Sequence, residues 1–278
     1  MRSVLIAVLV FVVTTGASLA DYNRSKAWFH DMTYQERIRT QFLLVFTGDY
    51  TGLVDGTFGP LTYTALTSFQ EHREHVPDGV PDARQILILQ RDGLDLVRRV
   101  GFETIHETES GLTLGVPAKL FEPASATRRG RHWLAHDSSI ELETWRVPRE
   151  ETDYQALYRR AIRPQDGRVV ASKNFRNDYF IVSGQQDGRS FYLRVMKTPQ
   201  DSRGFSLSWE PKHTVFMNRV AIAMSSSMTG IVAGDDSSRD SPDDAPEAAR
   251  APRPEGLNSA APKSETVISR SAESGTGS

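Results

Sequence analysis

The feature that most restricts what this chain can fold into is a change of period near residue 100. Before it, apolar residues recur at helical spacing; after it, they alternate as in half-buried strands. Thr33 followed by Glu36 forms a capping-box pattern, and Ile38, Phe42, Val45 and Phe46 then supply one helical stripe. Gly48 and Gly52 punctuate a loop. Gly59-Pro60 opens a second helix with proline at its first turn, where no backbone donor is lost, and Leu61, Ala65, Leu66 and Phe69 form its expected buried stripe. After Pro77-Asp78-Gly79 a third helix is expected from Asp82 to Gln90, with Ile86, Leu87 and Leu89 available to close a core. Residues 34–90 thus read as two versions of one helix-loop-helix theme.

From Phe102 the pattern is that of strands. Ile140 to Trp145 alternates, Tyr154 to Ile162 carries a short helix, and strands are expected at Val169 to Asn174, Tyr179 to Ser183, Ser190 to Met196 and Phe205 to Trp209. Asp187-Gly188 predicts a hairpin between the middle pair, with Ser183-Gly184 expected at a hairpin end. Phe216, Val220 and Met224 predict a last amphipathic helix lying across one sheet face. The expected class is α+β multidomain: a three-helix unit at 21–100, then an antiparallel-sheet α+β domain at 101–230.

The ends read differently. Arg2, an apolar stretch from Val4 to Val13 and the small-residue site Ser18-Leu19-Ala20 match the parts of a secretory signal over residues 1–20, with cleavage expected after Ala20. The strongly apolar part is too short for a spanning helix, which needs about twenty residues, so no membrane anchor is expected after cleavage. Residues 231–278 are rich in Asp, Ser, Pro, Ala and Gly and predict a disordered tail, because such a composition buries too little apolar surface to offset ordering entropy. The formal net charge of -2 argues against a general electrostatic grip on nucleic acid. With no cysteine, disulfides and thiolate chemistry are excluded, and an exported chain of this kind has to be held by apolar cores alone.

The run from Gly52 through Asp55-Gly56-Thr57-Phe58-Gly59-Pro60 to Phe69-Gln70 resembles the peptidoglycan-binding-like domain family. That resemblance covers some sixty residues and implies a three-helix fold and attachment to bacterial cell-wall peptidoglycan, in the periplasm or secreted. Turn and core demands already account for Gly56, Gly59, Phe58 and Phe69. A muramyl peptide or glycan offers hydroxyls, amides and carboxylates, so polar groups beside an aromatic wall are the expected receptor, and Asp55, Thr62, Tyr63 and Gln70 are the candidate ligand-binding residues. Asp78-Gly79-Val80-Pro81-Asp82 departs from the family pattern by lacking the later Gly and Thr. The following domain more loosely resembles the PsbP-like α+β group through Gly115-Val116-Pro117, the strand pair ending in Phe180 to Gly184 and Phe191-Tyr192, and the terminal helix, which implies a non-catalytic, partner-binding or scaffold domain.

Such modules accompany wall hydrolases, so residues 101–230 could carry catalytic groups. His72 with His75, and His132 with His136 and Asp137, lack further ligands and a zincin motif. No Gly-x-Ser-x-Gly elbow is present; Glu141 and Glu143 share a strand face and read as its wet side; Arg128, Arg129 and Arg131 read as a solvated loop. The reading is a non-enzymatic, cofactor-free and metal-free exported protein whose partner is peptidoglycan. The alternatives are a wall hydrolase with an unrecognised site in 101–230, or a scaffold for envelope proteins.

Overall fold

The computed structural model describes residues 15–230, Asp166 excepted. The apolar leader up to residue 14 and the expected tail from 231 lie outside the described residues. Four helices come first: α1 Thr15–Asp31, α2 Tyr34–Thr47, α3 Pro60–Glu71 and α4 Ala83–Val100.

The local signals act as the sequence predicts. Thr33 and Glu36 cap α2 reciprocally, and Gly48 ends it in the left-handed conformation. Pro60 occupies the first turn of α3. Asp82 and Gln85 form a second capping box on α4, which runs on to Val100 because Leu89, Gly93 and Val100 keep one face buried well beyond Gln90.

Three expectations about the helices need correction. First, α1 precedes the three predicted helices and packs on them: Phe29 and Ser25 are fully buried and Tyr22 lies edge-on to Phe58 at 5.3 Å. Its stripe passes through a serine in otherwise polar sequence, so the pattern is faint. Second, Leu61 is 55% exposed; it sits in the first turn of α3, outside the face carried by Ala65, Leu66 and Phe69. Third, Leu87 is 65% exposed while Leu89 is buried, because only one of two apolar neighbours on α4 can face α2.

Ten strands follow: β1 Phe102–Glu107, β2 Leu112–Pro117, β3 Ser125–Thr127, β4 Gly130–Leu134, β5 Ile140–Pro148, β6 Arg168–Phe175, β7 Tyr179–Gln186, β8 Arg189–Lys197, β9 Asp201–Trp209 and β10 Thr229–Gly230. All pairings among them are antiparallel. A three-stranded sheet has the order β1-β2-β10 and a seven-stranded sheet the order β3-β4-β5-β9-β8-β7-β6. Helix α5, Tyr154–Ala161, carries the chain from β5 over one sheet face to the far edge, where Tyr154 packs on Phe180. Asp187 and Gly188, at φ 50° and 78°, make the predicted β7–β8 turn. Ser183-Gly184 lies within β7, paired with Tyr192 and Phe191, and not at a hairpin end as expected; the strand persists because its alternate face, Phe180 and Val182, is buried under α5.

Helix α6, Thr214–Ser227, buries apolar residues on two sides and leaves Val215 and Asn218 exposed. Met217, Val220, Ala221 and Met224 enter the sheet core with Leu112, Leu114, Phe205 and Leu207. Ala223 enters the helical core with Phe42, Phe46 and Leu66, flanked by Phe216 and Ile222. Polar bonds fasten the same contact: Arg219 donates to the Phe46 carbonyl at 3.0 Å, and the Val54 N–H donates to the Ser226 hydroxyl at 3.0 Å.

Because α1 reaches its neighbours through Tyr22, Arg24, Ser25 and Phe29, a chain starting at residue 21 should unfold at the same urea midpoint as the full chain. Phe29→Ala should cost about 3–5 kcal/mol, the usual loss for a fully buried phenylalanine. A cost below about 1 kcal/mol would mean that α1 is not packed on the module.

Candidate functional site

The Asp-Gly turns of the helical module are built the same way twice. In the first, the Gln41 Oε1 on α2 accepts the Asp55 and Gly56 N–H groups at 3.1 and 2.8 Å. Its Nε2 donates to the Thr57 carbonyl at 2.9 Å and to the Thr62 hydroxyl at 3.1 Å. In the second, the Gln70 Oε1 on α3 accepts the Gly79 N–H at 2.7 Å, while its Nε2 donates to the Asp78 carboxylate at 2.9 Å and to the Gln85 Oε1 at 3.2 Å. Each aspartate braces its own turn: Asp55 accepts from the Thr57 N–H and Asp78 from the Val80 N–H.

A tyrosine backs each glycine. A Cβ at Gly56 would stand 2.7 Å from the Tyr34 ring, and one at Gly79 would stand 2.7 Å from the Tyr63 ring; both glycines have positive φ, at 69° and 73°. Each turn therefore needs glycine for conformation and for space. The theme predicted for 34–90 is thus a physical repeat: tyrosine, glutamine, Asp-Gly, then a polar residue in the first turn of the next helix.

The four predicted ligand residues divide accordingly. Asp55 is exposed at the first turn. Tyr63 is half-buried at the second turn, edge-on to Tyr22 at 5.2 Å, and its phenol is raised in pKa first by burial and then by Asp21 and Asp78. Thr62 and Gln70 are each 1% exposed and fully engaged in the turn bonds, so they act as internal braces. The structure does not gather the four into one groove; two sit in the interior and the other two mark different turns. Sequence reasoning missed Tyr34, Gln41 and the bracing role of Asp78. The signal was present: Tyr34 to Gln41 has the same interval as Tyr63 to Gln70.

Around the second turn, helix α1 adds polar groups. The Ser25 hydroxyl donates to the Gly79 carbonyl at 2.5 Å, and Arg24 pairs with Asp78 at 3.1 Å and Asp21 at 3.0 Å. Around the first, Asp55, Thr57 and Leu61 are exposed together. Hydroxyl, carboxylate and apolar surface of this kind can contact amides and sugar hydroxyls.

The other candidates are tied up locally. His72 Nδ1 lies 2.7 Å from the buried Asp49, His132 Nε2 lies 2.7 Å from Glu141, and His136 contacts Glu122. Arg129 pairs with Glu151. Among the described residues no three His, Asp or Glu side chains converge as a metal site, and no helix is long and apolar enough to cross a membrane.

Gln41→Ala removes one acceptor and one donor amide from a buried turn and should cost about 2–4 kcal/mol in urea unfolding, since each stranded buried group carries its own desolvation penalty of about 1–3 kcal/mol. Asp55→Asn should change stability by less than about 0.5 kcal/mol, as is usual for exposed sites. The Tyr50 phenol, which donates to the Leu53 carbonyl at 3.0 Å, is pushed up to about 12, first by burial and then by Asp55. The unfolded phenol titrates near 10, so its stabilisation is held below about pH 10 and lost as pH rises from there through the folded value. Unfolding midpoints measured across that range should fall, and Tyr50→Phe should flatten the fall.

No curated protein matches the chain. The solution structure of cyanobacterial PsbP (CyanoP) from Synechocystis sp. PCC 6803 is similar at 11% identity over 46% of this chain and 92% of that chain, with a TM-score of 0.37, too low to assign a fold. Residues 34–89, the two glutamine-braced hairpins, match the family model described as a putative peptidoglycan binding domain.

Proposed function

We propose that this is an exported, non-enzymatic protein that attaches noncovalently to cell-wall peptidoglycan through its helical module. The observation that carries this reading is the family match over residues 34–89, the same residues that build the two rigid Asp-Gly turns. Rigid turns favour weak polar ligands because little loop entropy is lost when the ligand docks. Asp55 at the first turn and Tyr63 at the second are the contact residues, and Thr62 and Gln70 support them from within. Export is supported by the leader-like residues 1–20, whose expected cleavage point leaves Tyr22, Arg24, Ser25 and Phe29 in the mature chain. The non-enzymatic reading rests on the sequence, which carries no zincin motif and no Gly-x-Ser-x-Gly elbow.

The test is co-sedimentation of the chain from residue 21 with purified sacculi. The expected result is retention in the pellet, reduced about fivefold in an Asp55→Asn/Tyr63→Phe double variant that keeps the wild-type melting temperature; a fivefold loss corresponds to about 1 kcal/mol. Wild-type protein that stays in the supernatant would refute wall binding, and soluble muropeptides released from the sacculi would replace the tether with a hydrolase.

A further inference from the structure

Four arginines lie on one face of the seven-stranded sheet, on the adjacent strands β4, β5, β9 and β8. Arg146 stands opposite Arg203 across β5 and β9, Arg194 opposite Phe205 across β8 and β9, and the Arg131 N–H donates to the Thr144 hydroxyl of β5. Two of them face carboxylates closely. Arg131 Nε lies 3.7 Å from Glu107 and 3.6 Å from Glu109. Arg203, 4% exposed, reaches Asp201 at 2.8 Å through Nε and the Gly111 carbonyl at 2.7 Å through Nη1.

That pairing uses up Asp201, whose oxygens also accept from Arg203 Nη2 at 3.2 Å and from the Thr198 hydroxyl at 2.7 Å. Arg146 is left with a 4.0 Å approach to the same carboxylate. Its Nε is screened from water and has no hydrogen-bond acceptor, and the same holds for the Nε of Arg131 and the Nε and Nη1 of Arg194. Burial lowers the pKa of Arg194 in spite of the opposing influence of Tyr192, Tyr179 and Asp178, and its guanidinium lies 4.2 Å from the Tyr179 ring centroid.

An open cleft of about 750 Å³ lies beside Arg146, at the end of β5 and the β8–β9 turn. Its lining adds Arg149, which forms no ion pair among the described residues, together with Gln200, Pro148 and Pro199. Arg146, only distantly paired with Asp201 at 4.0 Å, Arg149, one amide and two apolar rings make an asymmetric receptor. A guanidinium presents paired donors that match an oxyanion in its plane. Glu150 and Asp201 on the same lining disfavour a highly charged polyanion.

We propose that this cleft binds the free carboxylate end of a peptide, with Arg146 and Arg149 holding the oxyanion and Gln200 facing a neighbouring amide. The site is separate from the helical module and does not depend on the wall reading. It gives the α+β domain a ligand of its own.

The experiment is an NMR shift titration of the chain from residue 21 with three probes: N-acetyl-alanyl-alanine, its C-terminal amide, and inorganic phosphate. The free acid should bind saturably and at least tenfold more tightly than the amide or phosphate. Arg146→Gln/Arg149→Gln should weaken acid binding at least tenfold with the melting temperature unchanged, whereas Asp55→Ala should leave it unaffected. Equal binding of acid and amide, tighter binding of phosphate, no saturable binding, or binding retained in the double arginine variant would each overturn the assignment.

Discussion

A helix with apolar side chains on two sides has to be covered on both, and α6 meets that requirement by standing between two cores. Its Met217, Val220 and Met224 side is closed by the sheets, and its Ala223 side by α2 and its neighbours. Neither core is complete without it. Burying such side chains contributes about 1.5–3 kcal/mol each, and in a chain without disulfides this is the main force available to join the parts. The helical module is therefore fixed to the sheet domain by shared apolar burial, and the Arg219 and Ser226 bonds set the register of that contact.

With the module held rigidly, its glycine-rich signature acquires a physical meaning. Asp55-Gly56 and Asp78-Gly79 owe their shape to a glutamine on the preceding helix, which satisfies the turn amides that would otherwise be buried unpaired. Most of the signature thus encodes geometry. What remains exposed is the outer rim: the Asp55 carboxylate, Leu61 and part of Tyr63. The missing Gly and Thr after Asp78-Gly79 are replaced by the Asp82–Gln85 capping box, and Gln85 meets Gln70 where Thr62 meets Gln41. The departure from the family pattern preserves the brace by other chemistry.

The sheet domain handles charge differently. Its paired groups, such as Arg203 with Asp201, lie where the two sheets are tied together, since Arg203 also bonds the β1–β2 turn at Gly111. Arg146, on the same face, lies beside an open cleft. A buried cation is tolerated in a folded protein when a partner or a ligand offsets its desolvation.

By itself the sequence determined what short-range chemistry can settle: the Thr33–Glu36 cap, the proline entry to α3, the Asp187-Gly188 hairpin, and the change from helical to alternating period that makes the chain α+β. These depend on residues a few positions apart. Tertiary structure alone decided that Thr62 and Gln70 turn inward while Leu61 and Leu87 turn outward, because each outcome depends on which element covers that face. It also decided that the faint stripe of α1 is buried, and that arginines from four strands align. Such contacts join segments far apart in sequence, as Val54 and Ser226 are, and their energies arise only once burial has removed water from both sides.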